Sequence, residues 1–208
     1  MATHAQIGLA VWSVDAPLED PIETHRASDA QAGARAVMAL DDGQRAVLAG
    51  GATAYIYDGS SVQPIAGSDD GATIVSVVHI DDTRFGLVRE DGTIDLHDAQ
   101  SLDRLDRIRR ASRVTSAATI ECLGAHRLLL AGDEGPVQMV GVDDEAITVL
   151  GSTITGWRDV AAENGRIAAV TGDRQRVILW NAWEPAKPVA EVHIAAIVRH
   201  RVADVAFG

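Results

Sequence analysis

The chain is short of cysteine, of aromatic rings and of positive charge, and each shortage excludes something. A single cysteine, Cys122, leaves no internal disulfide and no cysteine set for structural zinc. A lone thiol favours a reducing, cytoplasmic setting and reads most simply as a small buried hydrophobe. Lysine and arginine total 18 against 30 aspartate and glutamate, a net charge of −12 with histidine neutral. Nucleic-acid binding draws on basic side chains that release counterions, so a nucleic-acid partner is not expected. A basic segment of another protein suits this charge better, the alternative being charge kept for solubility. No apolar run approaches the roughly 18 residues of a membrane-spanning helix. The first residues carry no basic stretch followed by an apolar one, so neither a secretory signal nor membrane association is expected.

Catalytic signatures are also missing. The seven histidines, His4, His25, His79, His97, His126, His193 and His200, form no H-x-x-x-H or H-E-x-x-H spacing. There is no G-x-S-x-G elbow, P-loop or G-x-G-x-x-G. "SDDG" at 68–71 resembles part of a calcium loop but lacks the glutamate downstream, so it reads as a turn. No cofactor, no metal and no enzymatic activity are expected.

What the chain does have is a period. Short strand-like runs ending in an aromatic or apolar residue recur as "LAVWSVD", "AYIYDG", "TIDLHD", "VQMVGVD" and "VILWNA". Aligned on Trp12, Tyr57, His97, Val140 and Trp180, they step by about 45, 40, 43 and 40 residues. A second series precedes them: "AVMALDDGQ", "SVVHIDDT", "ATIECLGAH", "DVAAENG" and the terminal "DVAFG". A third lies between: "RAVLAGG", "RFGLVRED", "HRLLLAGDEG" and "RIAAVTGD". Looser segments follow each unit: "PIETHRA", "VQPIAG", "RLDRIRR", "AITVLG" and "VAEVHIAAIV". Glycine, aspartate and asparagine bound these runs, as they bound strands and tight turns. Four strands in about 40–45 residues make one blade of a β-propeller. The expected fold is all-β: a β-propeller of about five four-stranded blades, one domain over 1–208 or a segment of a larger propeller.

The sequence resembles the WD-repeat propellers over nearly its whole length. The clearest unit is "GRIAAVTGDRQRVILWNAWEP", where Trp180-Asn181 stands in place of the family's Trp-Asp pair. The dipeptide otherwise reads Trp12-Ser13, Tyr57-Asp58, His97-Asp98 and Val140-Gly141, and the usual Gly-His opening is missing. The resemblance implies a non-catalytic protein-interaction scaffold. It also implies that "RVADVAFG" is an innermost strand, and that "MATHAQ", "LAVWSVD" and "PIETHRA" supply the other three strands of its blade. Residues 202–207 are therefore expected to pair with residues 2–6 and close the ring.

Two alternatives accompany this reading. Asp159 in "WRDVAA" and Asp204 in "VADVAF" occupy the same place in successive inner strands. Paired carboxylates near a channel would suit a carbohydrate-binding or glycoside-active propeller, although eight aromatics are few for sugar platforms. The ring could also be completed in trans, by a partner or a second copy. The basic run "LDRLDRIRRASR" at 102–113 fits an outermost strand with a charged edge.

Turns alternate between two faces of a propeller. One face is expected to gather Asp41, Asp42, Asp81, Asp82, Asp143 and Asp144, and to meet the basic partner. The alternative docking face would carry Arg89, Arg158, Arg174 and Arg201.

Overall fold

A computed structural model describes the backbone of residues 8–11 and 23–26, and residues 36–40, 44–69, 71–109, 113–144 and 146–193. Every regular element among them is a β-strand. A strand pair, β1 (Gly8–Val11) and β2 (Glu23–Arg26), comes first. Four four-stranded antiparallel sheets follow. The first holds β3 (Ala36–Ala39), β4 (Ala46–Gly50), β5 (Thr53–Tyr57) and β6 (Val62–Pro64). The second holds β7 (Ile74–Asp81), β8 (Arg84–Arg89), β9 (Thr93–Asp98) and β10 (Arg104–Arg109). The third holds β11 (Ser116–Cys122), β12 (Ala125–Ala131), β13 (Gln138–Gly141) and β14 (Ile147–Val149). The fourth holds β15 (Trp157–Glu163), β16 (Arg166–Thr171), β17 (Arg176–Asn181) and β18 (Ala190–His193). Each sheet is a meander in chain order, as its short connections and turn residues dictate. The basic run expected at the edge of its unit is strand β10, exposed along most of its length.

Each sheet repeats one register. Tyr57 lies opposite Ala46, His97 opposite Phe85, Val140 opposite Leu128 and Trp180 opposite Ile167. In all four cases the residue before that partner is an arginine: Arg45, Arg84, Arg127 or Arg166. The alignment made on the third strand thus matches the cross-strand pairing.

The core is not one centre but a series of layers between sheets. Val47, Ile56 and Ile65 of the first sheet region pack with Ile74, Phe85 and Leu87 of the second. Val88, Ile94 and Ile108 pack with Leu128, Leu130 and Val140. Leu129, Met139 and Leu150 pack with Trp157, Ile167 and Trp180. Middle strands covered on both sides need near-continuous apolar runs, and β8 and β16 are buried after their first residue. Inner strands touch in sequence: β3 lies against β7, β7 against β11 and β11 against β15. Together they line an open cavity of about 780 Å³. The pairing expected between 202–207 and 2–6, and Trp12, lie outside the described residues.

Candidate functional site

Each hairpin between first and second strands, and each connection between third and fourth, emerges on one side of the stacked sheets. This turn face carries most of the acids singled out from the sequence. Asp82, Asp143 and Asp144 are exposed there and Asp81 is half-buried; Asp41 and Asp42 lie outside the described residues. Glu163 is exposed on the same face.

The turns are held by their own side chains. Asp58 Oδ1 accepts hydrogen bonds from the backbone N–H of Ser60 at 2.9 Å and of Ser61 at 2.8 Å. Those bonds, Ser61 first, hold its carboxyl at a pKa of about 2. Asp98 does the same for Gln100 and Ser101, at 2.9 and 2.7 Å. Such Asx turns let a short polar side chain replace a backbone partner. Asp81 accepts from Thr83 N–H and from Arg84 Nε at 2.8 Å. Partial burial opposes its ionisation, but the Arg84 and Thr83 bonds outweigh this and hold its pKa at about 2.

Arg84 then reaches across to the next sheet, where Nη1 donates to Asp143 Oδ1 at 2.6 Å. That bond, with the one to Asp81, raises the guanidinium pKa, and the bond from Arg84 lowers the pKa of Asp143. Arg45, one sheet earlier in the same slot, donates to Gln100 O of the following sheet at 3.4 Å. Arg127 instead pairs with Asp144 of its own sheet at 3.7 Å. Sequence reading gave these arginines no role. Of the recurring arginines, Arg45 and Arg84 reach the following sheet, whereas Arg127 stays within its own.

The arginines of the alternative face do not form one surface. Arg89 is fully buried, with no exposed area, and is corrected from a docking residue to a core residue. Its Nε donates to Asp95 Oδ2 at 2.9 Å. Nη1 donates to Ala72 O at 2.7 Å and Ala52 O at 3.1 Å, and Nη2 to Ser68 O at 2.8 Å. Arg107 Nε donates to the other oxygen of Asp95 at 2.5 Å. Burial would favour a protonated Asp95, but the bonds from Arg107 and Arg89 hold its pKa below the ordinary value. Arg158 is exposed at the mouth of the cavity. Arg174 is half-buried in a hairpin turn at φ 57°. Arg201 lies outside the described residues.

The cavity itself is lined by Ser76, Thr115, Ser116, Arg158 and Asp159, with alanines and valines between them. Ser76 Oγ accepts from Ala117 N–H at 3.0 Å, so a hydroxyl of one inner strand holds the backbone of the next. Ser116 Oγ takes the same role toward Val160 N–H at 3.4 Å and donates to Asp159. Asp204, the second carboxylate of the glycosidase alternative, lies outside the described residues. Among the described residues no three His, Cys, Asp or Glu side chains are grouped to hold a metal ion. Among the described residues there is no helix long and apolar enough to cross a membrane.

Sequence reading also passed over two apolar residues on the turn face, Leu123 and Trp183, which are 90% and 55% exposed. No family model matches the chain, and no curated protein does.

Proposed function

We propose that this chain is a non-catalytic protein-interaction scaffold, a WD-repeat-type propeller whose acidic turn face docks a Lys/Arg-rich segment of another protein. In this reading the four sheets are blades, and β1 and β2 belong to a fifth completed by the C-terminal strand. The observation that carries the proposal is the row of exposed acids, Asp82, Asp143, Asp144 and Glu163, mounted on turns that internal hydrogen bonds hold in place. Preorganised charge of one sign speeds association with the opposite sign and loses its effect as salt screens it. The Asp81–Arg84–Asp143 bridge suits the same purpose, because it keeps acids of two neighbouring sheets at constant spacing.

The test is a variant with Asp82, Asp144 and Glu163 changed to Asn, Asn and Gln, leaving the Asp81–Arg84–Asp143 bridge intact. Association with a synthetic Lys-rich peptide is followed by stopped flow from low to high salt. The expected outcome is an association rate lowered about tenfold at low salt and a flatter salt dependence. Equal rates and equal salt slopes for variant and parent reject the acidic face as the docking surface.

A further inference from the structure

We infer that Leu123 and Trp183 form the anchor of this face: a shallow apolar seat for one aliphatic or aromatic side chain of a partner segment that carries Lys or Arg on both sides. The inference deepens the acidic-face reading and rests on it.

The backbone at Leu123 is the first observation. β11 and β12 pair down to Cys122 and Ala125, so Leu123 and Gly124 form the hairpin turn. Their φ angles are 55° and 73°. Both being positive marks the tight hairpin turn that favours Asn-Gly, since a side chain with Cβ is strained there and asparagine tolerates it best. The fourth sheet shows the ordinary solution, with Asn164 at φ 48° and Gly165 at φ 73° in the matching turn. The third sheet puts leucine in that place and leaves it 90% exposed. Folding gains nothing from this choice. The residue is strained in its backbone and its apolar surface stays in water.

Trp183 is the second observation. It is held in place although 55% of it is exposed. Its ring lies against the bare Cα of Gly165, so closely that a Cβ there would stand 2.0 Å from a ring carbon. The backbone beneath is tied, with Ala182 N–H donating to Gly165 O at 2.8 Å. The tryptophan is thus a preset surface rather than a free side chain, and binding to it costs little ordering.

The two residues crown one buried layer. Cys122 and Ala182, their chain neighbours, belong to the same apolar cluster between the third and fourth sheets, with Ala162 packed against it. Leu123 and Trp183 each follow a member of that layer where the chain turns on this face. Near them in the chain are the exposed carboxylates Glu121 and Glu184, with Glu163 two residues before the Gly165 that Trp183 covers and Asp143 and Asp144 on the next turn of the third sheet. Arg166, opposite Glu163, and Lys187 are the exposed bases nearby in sequence. An apolar seat with a mainly acidic rim complements an apolar side chain with basic neighbours. The Trp183 ring also attracts a cation over its face.

The test uses three 11-residue synthetic peptides in a Gly/Ser background. One has a central Leu with two Lys on each side, one has that Leu replaced by Gly, and one has the Lys replaced by Glu. Calorimetric titration of the full chain is expected to show the Leu–Lys peptide binding about tenfold more tightly than the Gly–Lys peptide, and the Glu peptide not binding. Trp183→Ala and Leu123→Asn should each remove that tenfold difference while leaving the Gly–Lys peptide unaffected. Leu123→Asn should also melt at the same or a higher temperature than the parent, because asparagine relieves the turn. A lower melting temperature would assign Leu123 to the fold and overturn the inference. So would equal affinity of the Leu–Lys and Gly–Lys peptides, an outcome that leaves the acidic face standing. If no basic peptide binds, both readings fall. Self-association that Trp183→Ala abolishes would give the seat to a second copy and overturn the proposed occupant.

Discussion

The second and fourth sheets share a backbone register but fill it with opposite chemistry. Where the second has Ile74, Arg89, Asp95 and His97, the fourth has Trp157, Thr171, Ile178 and Trp180. In the fourth sheet the two indoles meet edge to face at 5.6 Å, and Trp180 Nε1 donates to Gly151 O at 3.0 Å. Stability there follows from burying area, with an aromatic contact added. In the second sheet an arginine, an aspartate and a histidine occupy the interior, and His97 stacks on Phe85 at 5.2 Å. A buried ion pair repays its desolvation only when every remaining donor finds a partner. Arg89 meets this condition by drawing carbonyls from the preceding turn and connection, Ala52, Ser68 and Ala72. The same slot can therefore tie a sheet to its neighbour by directed bonds or by undirected packing. The directed version is the more sensitive to pH.

The comparison breaks most visibly if one partner is removed. Asp95→Ala leaves Arg89 buried without its counter-ion and is expected to cost about 3–5 kcal/mol. Trp180→Ala leaves a cavity and loses transfer energy, also about 3–5 kcal/mol. Urea denaturation measures both. The two are separable by rescue: the pair replaced together, Arg89→Met with Asp95→Leu, should recover most of the loss, as an apolar substitute for a buried pair does. No recovery would mean that the carbonyl bonds of Arg89, rather than the ion pair, hold the second sheet to the first.

A smaller effect is expected from acid. His97 Nδ1 donates to Leu102 O at 2.9 Å, which leaves Nε2 as the acceptor nitrogen of a neutral ring. Burial is the main cause that lowers its pKa below 6.5, against the opposing pull of the Leu102 carbonyl and Asp95. The unfolded chain then binds the proton more readily than the folded one. The stability due to neutral His97 is complete above about pH 6.5 and is lost as pH falls from there toward the folded pKa. His97→Phe should flatten the urea midpoint between about pH 7 and pH 5 relative to the parent. An identical pH dependence in variant and parent would place the acid sensitivity elsewhere. Asp95 acts in the same direction lower on the scale, below its ordinary value of 3.8.

Leu123→Asn is expected to have the smallest effect of all on stability, and a favourable one. It isolates the hairpin turn in which the third sheet has leucine where the fourth has asparagine.

Strand order, repeat length and the edge position of β10 were legible from the sequence because they are local properties. Alternation, apolar runs and turn residues act over a few positions and are written there. The identity of the acidic face was legible in part, since a strand order determines which turns share a side. The fate of Arg89 was not. A reader of "LVREDG" sees an arginine entering a turn, and nothing nearby announces that Asp95 and three carbonyls from residues 52–72 will enclose it. Trp180 and Trp183 teach the same lesson at closer range. Three residues apart, one is 1% exposed and the other 55%.

By itself the sequence determined that short antiparallel strands would repeat in fours, because hydrophobic period and turn chemistry are properties of neighbours along the chain. Only the tertiary structure decided which polar groups would be interior and which apolar ones would stay in water. Burial of a charge depends on partners brought from other sheets. Exposure of Leu123 and Trp183 depends on where the layer between two sheets comes to an end.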